Sequence, residues 1–474
     1  MTDTVKRVQD WLRAHEDDLL RDTVAMLRIP SLESDAEPNA PFGPENRKAL
    51  DLALSLSATY GFRTKDIEGY CGYAEIGDGK AMVMTLGHLD VVPVGPGWKH
   101  EPFGAEIDEG YIYSRGAEDD KGPTMAAFYA IRAIKECVPD LDVRIRAVFG
   151  CNEESGFKCV ARYCQTEELP TLGVAPDSGW PLYHAEKGIA NFVVSVPLPA
   201  CRPDGCGQFD LIFAEGGQRP NIVIDSFEAR VQVAESARKH VNEKLADNWD
   251  ANVSFTWQDD VLTVNARGKA AHGSTPFYGD SAATRAFRFL MGVAPISAHG
   301  YFEELFAMTH PSGVGLGIHG RDDVSQDLTC NLGIVKTAKD AIHMTFNVRR
   351  PVTWETNMLR DLLLAHLPKS KIGALLESFD SSEPLYFPLE HPLVETICAV
   401  YEEETGEKKE PGVMGGGTYA RAVPNCVSIG TGWEGDGPAH ETDERLKVEH
   451  LFKMSRIYAH IFLRLADEAK KLVS

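Results

Sequence analysis

Apolar residues recur at near-helical spacing through the first 30 residues, at Val5, Val8, Leu12, Leu19, Leu20, Val24 and Leu27, which predicts one opening amphipathic helix. A polar loop with prolines follows from Ser34 to Glu45. Apolar runs of strand length then alternate with helical ones: AMVMTLGHL from Ala81, GPTMAAFYAIRAIKECV from Gly122, VRIRAVFGC from Val143 and LGVAPD from Leu172. Strand followed by helix, repeated, predicts an α/β domain with a parallel or mixed sheet.

Near Glu186-Lys187-Gly188 the pattern changes to strand-rich segments such as NFVVSVPL and HMTFNVRRP, with two helical stretches near 226–248 and 281–292. The α/β pattern returns near Pro384 with HPLVETICAVYEEETG, VSIGTG and a closing helix from Val448. The expected organisation is a discontinuous catalytic domain, 1–186 plus 383–474, interrupted by an α+β insert over 187–382 that has room for two similar halves.

In this arrangement His88, the pair Glu153-Glu154 and Asp177 all fall at the carboxyl ends of predicted strands, the edge where open α/β sheets gather their ligands. Asp119-Asp120 sit in a turn before the alanine-rich helix, and His440 follows the late strand VSIGTG. Taken singly, each has an ordinary reading: a hydrogen-bonded core histidine, a solvated acidic turn, acids at the positive end of a helix. Together they put imidazoles and carboxylates on one edge where only Lys121 and Lys187 offer positive charge. Buried carboxylates raise one another's pKa unless cations offset them, and imidazole with carboxylate ligation suits zinc or manganese better than calcium. Two glycine-rich decoys fail. Gly315-Leu316-Gly317-Ile318-His319-Gly320 has no helix after it, and Gly415-Gly416-Gly417-Thr418 lacks the lysine of a phosphate loop.

Composition narrows the function classes further. A formal charge of −22, with 70 acids against 48 Lys and Arg, excludes a phosphate-backbone footprint and so predicts no nucleic-acid partner. No run reaches the roughly 18 apolar residues of a membrane span, and the start lacks an export-type apolar segment. The ten cysteines include no C-x-x-C pair, the closest spacings being Cys159/Cys164 and Cys201/Cys206. A cytoplasmic protein with buried free thiols is expected.

GHLDVVPVG, SRGAEDDKGP, GCNEESG, APDSGWP and GPAHETDE, in that order, resemble the motifs of the di-zinc metallopeptidase family that includes acetylornithine deacetylase, succinyl-diaminopimelate desuccinylase, carboxypeptidase G and carnosinase. GGGTYAR and the long insert are most similar to its bacterial dipeptidase branch, the dipeptidase V type that acts on Xaa-His and β-alanyl dipeptides. The resemblance implies a zinc-aminopeptidase-like catalytic domain with an inserted lid. It also implies a dipeptidase that hydrolyses unblocked dipeptides by a metal-activated water. By the same resemblance His88, Asp119 and Asp177 would hold one divalent ion, and Asp119, Glu154 and His440 the other, with Asp119 bridging. Zinc is the expected metal, with manganese or cobalt as substitutes. Glu153 would be the general base and Asp90 would orient His88, its carboxylate accepting the imidazole N–H from the same side of the strand.

In the insert, the resemblance makes His272 an oxyanion stabiliser, while Asn221, Arg349 and the Gly416 backbone would hold the peptide carboxylate, with Arg350 as the rival of Arg349. A doubled lid further implies a monomer whose insert mimics a dimer interface. Cys151-Asn152, Ser114 and Ser178-Gly179-Trp180 depart from the family's usual residues, which touches specificity rather than ligation. An N-acyl amino acid deacylase or a carboxypeptidase would use the same site. A catalytically silent peptide-binding protein would not need Glu153.

Overall fold

The strand Met82–His88 lies at the centre of a nine-stranded mixed sheet and is buried along its whole length, which is why it reads as an unbroken apolar run. The structure is a computed structural model and describes residues 2–199 and 207–473. Along most of the sheet the spatial order is Arg63–Ile67, Cys71–Ile76, Arg144–Gly150, Met82–His88, Leu172–Ser178, Cys426–Gly430, Leu182–Glu186 and Leu385–Tyr386. Arg144–Gly150, Met82–His88, Leu172–Ser178 and Cys426–Gly430 run parallel, so their carboxyl ends share one edge. Helices cover both faces, among them Lys121–Cys137, with thirteen buried residues, and the closing helix Val448–Val473.

The chain divides into two compact units, residues 1–184, 385–412 and 417–474, and residues 185–384 with 413–416. Each has its own apolar core. Residues 413–416 differ from the expected boundaries by joining the insert, and main-chain and side-chain bonds explain why. Lys187 N donates to Met414 O at 2.9 Å, and Arg349 Nη1 donates to Gly415 O at 2.8 Å.

The inserted unit is built on an eight-stranded sheet. Phe209–Gly216, Ser226–Val233, the helix Glu235–Asp247 and Val253–Gln258 follow one another as a hairpin, a helix and an edge strand. Thr329–Ala338, Ala341–Arg350, the helix Thr356–His366 and Leu375–Ser382 repeat that order. Val261–Arg267 fills the third place in the first half, and Gly188–Pro197 fills it in the second. The halves meet where Phe209–Gly216 pairs antiparallel with Thr329–Ala338.

Three expectations change. The opening helix is two, Thr2–Ala14 and Glu16–Leu27, because His15 leaves helical backbone, stacks on Trp11 at 3.7 Å and bonds the Trp11 carbonyl through Nδ1. The stretch 226–248 is helical only from Glu235. Ser226–Val233 is a strand whose Phe227, Ala229, Val231 and Val233 alternate inward, a period of two that outweighs its charged residues. Ile296–Met308 and Thr356–His366 are additional helices of the insert. The described cysteines are free thiols, with Cys71, Cys151, Cys159, Cys330 and Cys426 buried, whereas Cys201 and Cys206 lie outside the described residues. No helix among the described residues is long and apolar enough to cross a membrane.

Candidate metal centre

His88 is the last residue of its strand and pairs in register with Gly150, after which the chain turns through Glu153 and Glu154. Asp177 is the penultimate residue of Leu172–Ser178, and His440, at φ +64°, lies in the loop beyond Cys426–Gly430. Asp119 and Asp120 immediately precede the helix Lys121–Cys137. Asp120 turns inward, where Oδ2 accepts from His88 N at 3.1 Å and from Thr124 Oγ1 at 2.9 Å, so it fastens the helix to the strand end. In this unit the structure therefore brings together all seven residues expected there.

The Asp119 carboxylate faces the two imidazoles with one oxygen each. His88 Nε2 is 3.0 Å from Oδ1 and His440 Nε2 is 2.9 Å from Oδ2, while His440 Nε2 also lies 3.1 Å from Glu154 Oε1. Ligand atoms of His88, Glu153 and Asp177 all fall within 4.8 Å of one another, and so do those of His88, Asp119 and Glu154. Two ligands bound tetrahedrally at about 2.0 Å would stand about 3.3 Å apart, close to these spacings.

Asp90 acts differently from the expectation. His88 Nδ1 pairs with the main-chain carbonyl of Asp90 at 2.9 Å, and the nearer carboxylate oxygen is 3.6 Å away. The carboxylate instead accepts from Glu153 N at 3.0 Å and Glu154 N at 3.1 Å. The strand ends at His88, so its alternation of sides no longer governs Asp90. The result still fixes the His88 tautomer, with Nδ1–H donated to a carbonyl and Nε2 turned to Asp119.

Without a cation the cluster retains protons. Burial, then the Asp119 and Glu153 charges, pushes Asp177 well above the usual carboxylate range. Burial, reinforced by Glu154 and Asp119, does the same to Glu153. Burial also opposes ionisation of Asp119, but hydrogen bonds from His440 and His88 outweigh it and hold that carboxylate low. Hydrogen bonds to Asp119 and Glu154 lift His440 to about 10. Lys121 does not supply the missing charge, because its Nζ donates to the carbonyls of Ile29 at 2.6 Å and Met26 at 3.4 Å. A cluster of oxygen and imidazole donors, His88 buried and His440 at its exposed rim, that has to borrow protons fits divalent cations, which would displace those protons.

In the inserted unit, Gly273 N donates to Asn221 O at 2.7 Å, so Asn221 and His272 lie on loops joined directly. His272 Nδ1 lies 2.6 Å from Ser274 Oγ and accepts from Ser274 N at 3.3 Å. Arg349 reaches Asn347 Oδ1 at 3.1 Å and the carbonyl of Gly415, next to Gly416. Arg350 is fully buried and donates to Trp354 O, Thr356 Oγ1, Ser382 O and Glu383 Oε2. Lys187 Nζ donates to the Asp327 carbonyl.

Residues 84–464 match the sequence profile of "Peptidase family M20/M25/M40". The chain belongs to this family. The Bacillus subtilis protein "Putative dipeptidase YtjP" is 34% identical over 466 residues, 95% of this chain and 98% of that one. Among solved structures, the peptidase is similar to the dipeptidase Dug1p of Saccharomyces cerevisiae, with a TM-score of 0.57 at 15% identity over 98% of this chain and 99% of that chain. It is also similar to Bacillus subtilis YXEP, described as a dinuclear metal binding peptidase of the M20 family, with a TM-score of 0.50 at 12% identity over 96% of this chain and 99% of that chain. At these identities the structural likeness shows the fold: a mixed α/β catalytic unit carrying an inserted domain.

The peptidase also holds its site with residues that sequence reading missed. Arg115 and Glu444 form a buried ion pair at 2.6 Å beside Asp119. Tyr419 OH accepts from Asn152 N at 3.2 Å, and its ring meets that of His88 edge-on at 6.1 Å. Gly150 admits this ring, since a Cβ there would stand 2.5 Å from the Tyr419 hydroxyl. Arg115, Tyr419 and Glu444 all lie inside the motifs that drew attention to the site, yet a buried arginine and a surface one look alike in sequence.

Proposed function

We propose that the chain is a metal-dependent dipeptidase acting on unblocked dipeptides, with two divalent cations held by His88, Asp119, Asp177, Glu154 and His440. The observation that carries this reading is Asp119, whose two oxygens address one imidazole each at 3.0 and 2.9 Å, the posture of a bridging carboxylate. The description of YXEP supports two metal ions, and the name of YtjP supports a dipeptide substrate. Zinc suits the donor set, with manganese or cobalt as alternatives. When bound, the cations supply Lewis acidity that polarises a carbonyl and lowers the pKa of water.

The remaining chemistry belongs to side chains. Glu153 takes a proton at its carboxylate from the attacking water and returns it to the leaving amine; burial and neighbouring acids raise its pKa in the direction a base near neutral pH needs. Asp90 holds Glu153 in place through the main chain. Because His272 Nδ1 accepts from Ser274 N, the neutral ring carries its proton on Nε2, a donor for an oxyanion. Arg349, Asn221 and the Gly416 backbone receive the peptide carboxylate, and Arg350 is the structural neighbour, committed to four acceptors in its own unit. The two joined half-sheets of the insert need no second copy to complete them, which supports a monomer. Buried free thiols suit a reducing, cytoplasmic setting.

The test is hydrolysis of a panel of dipeptides, tripeptides and N-acyl amino acids by the full chain under zinc, manganese and cobalt. Dipeptides with a free amine and carboxylate should be cleaved fastest. Preference for N-acyl amino acids, or for longer peptides cut at the carboxyl end, would replace this reading with a deacylase or a carboxypeptidase.

A further inference from the structure

Glu444 is fully buried and stands four residues after His440. Its Oε1 accepts from the backbone N–H of Glu118 at 3.0 Å and of Asp119 at 3.2 Å, while its Oε2 pairs with Arg115 Nη1 at 2.6 Å. Its main-chain carbonyl accepts from Ser114 N at 3.0 Å. Arg115, 1% exposed, donates through Nη2 to Pro93 O at 3.4 Å, on the segment that leaves His88 and Asp90. One ion pair thus touches the segments that carry His440, Asp119 and His88.

Nothing in local stability requires a charge pair there. A buried pair repays its desolvation poorly compared with packed apolar side chains, and such pairs are most useful where they fix one arrangement. Here the arrangement fixed is specific. Glu444 holds the two N–H groups at and before Asp119, so it sets the height of the Asp119 backbone against the loop that presents His440. A drift of either loop would pull Asp119 Oδ2 away from His440 Nε2, now 2.9 Å apart.

We infer that Arg115 and Glu444 are positioning residues that set the Asp119 to His440 spacing and thereby the affinity of the cation shared by Asp119, Glu154 and His440. The inference rests on the ligand set proposed above. Neither side chain would be a ligand; both act through the backbone of Asp119 and the His440 loop. The site held by His88, Asp119 and Asp177 depends on them less, because His88 is fixed by its own strand and by Asp120.

The experiment loads metal-free full-length protein with zinc in competition with a chromophoric chelator, and repeats the titration with cobalt to read the visible spectrum of each site. Wild type should bind two ions per chain; one or none would overturn the two-metal reading itself, independently of this inference. Glu444→Gln keeps the shape but loses the ion pair, and should weaken one ion by about tenfold or more while the other stays within about twofold. The cobalt spectrum of the weakened site should change alone. Arg115→Lys, which keeps the charge but loses the forked geometry, should fall between wild type and Glu444→Gln. Should Glu444→Gln fail to fold, judged by circular dichroism, Arg115→Lys carries the test alone with the same selective loss expected. Unchanged affinity for both ions, or equal weakening of the two, would overturn the inference.

Discussion

Asp90→Asn separates placing Glu153 and Glu154 from forming the fold. The wild-type carboxylate is 2% exposed and accepts two main-chain N–H groups, from Glu153 at 3.0 Å and Glu154 at 3.1 Å. Asparagine keeps one acceptor and turns an NH2 group toward the other donor. Hydrogen bonds to a charged acceptor contribute about 1.5–3 kcal/mol each, so losing one costs the native turn about that much. At 1.36 kcal/mol per decade this is about 10–150-fold in an equilibrium that depends on the turn being set. The stability of metal-free protein should fall by less than the full amount. Burial already penalises the Asp90 charge, pushing its pKa up, and removing that charge offsets part of the loss. The expected outcome is zinc affinity reduced about 10–100-fold, with the metal-free melting temperature lowered by only a few degrees. Competition titration and differential scanning fluorimetry measure the two. Wild-type zinc affinity in a folded Asp90→Asn protein would refute the reasoning, as would a variant that does not fold at all.

Further outcomes are expected. Glu153→Ala should keep about two metal ions per chain by elemental analysis while losing about 10²–10⁴-fold in kcat, since a base rather than a ligand is removed; loss of both ions would reassign it. Arg349→Ala should chiefly raise KM for dipeptides with a free carboxylate and leave C-terminally amidated analogues unaffected. Arg350→Ala should instead lower stability by about 2–5 kcal/mol, because it empties a fully buried site and removes the donor shared by Trp354 O, Thr356 Oγ1 and Ser382 O. Metal-free protein should lose stability as pH rises. The folded-state pKa of His440 is about 10 against 6.5, so its contribution is complete below about pH 6.5 and is lost as pH rises through about 10. Asp177 and Glu153, also raised, act in the same sense because the folded state binds more protons than the unfolded one. Zinc should abolish this slope, and a melting temperature in chelator that climbs between pH 6.5 and 10 would contradict it.

The sequence by itself determined the strand and helix alternation of the catalytic unit and the edge on which His88, Asp119, Glu153, Glu154, Asp177 and His440 gather, because periodicity reports which side of an element is buried and chain order reports where each strand ends. Only the tertiary structure decided which acceptor each donor takes. It gave His88 Nδ1 to a main-chain carbonyl and the Asp90 carboxylate to the Glu153-Glu154 turn. It buried Arg350 among its own unit's acceptors, and it brought Arg115 to Glu444 across 329 residues of chain. It also made Ser226–Val233 a strand and drew 413–416 into the inserted unit. The physical reason is the same in each case. A pattern of apolar positions fixes a face, whereas a hydrogen bond or a buried ion pair exists only once two distant segments have been packed together and water has been excluded from between them.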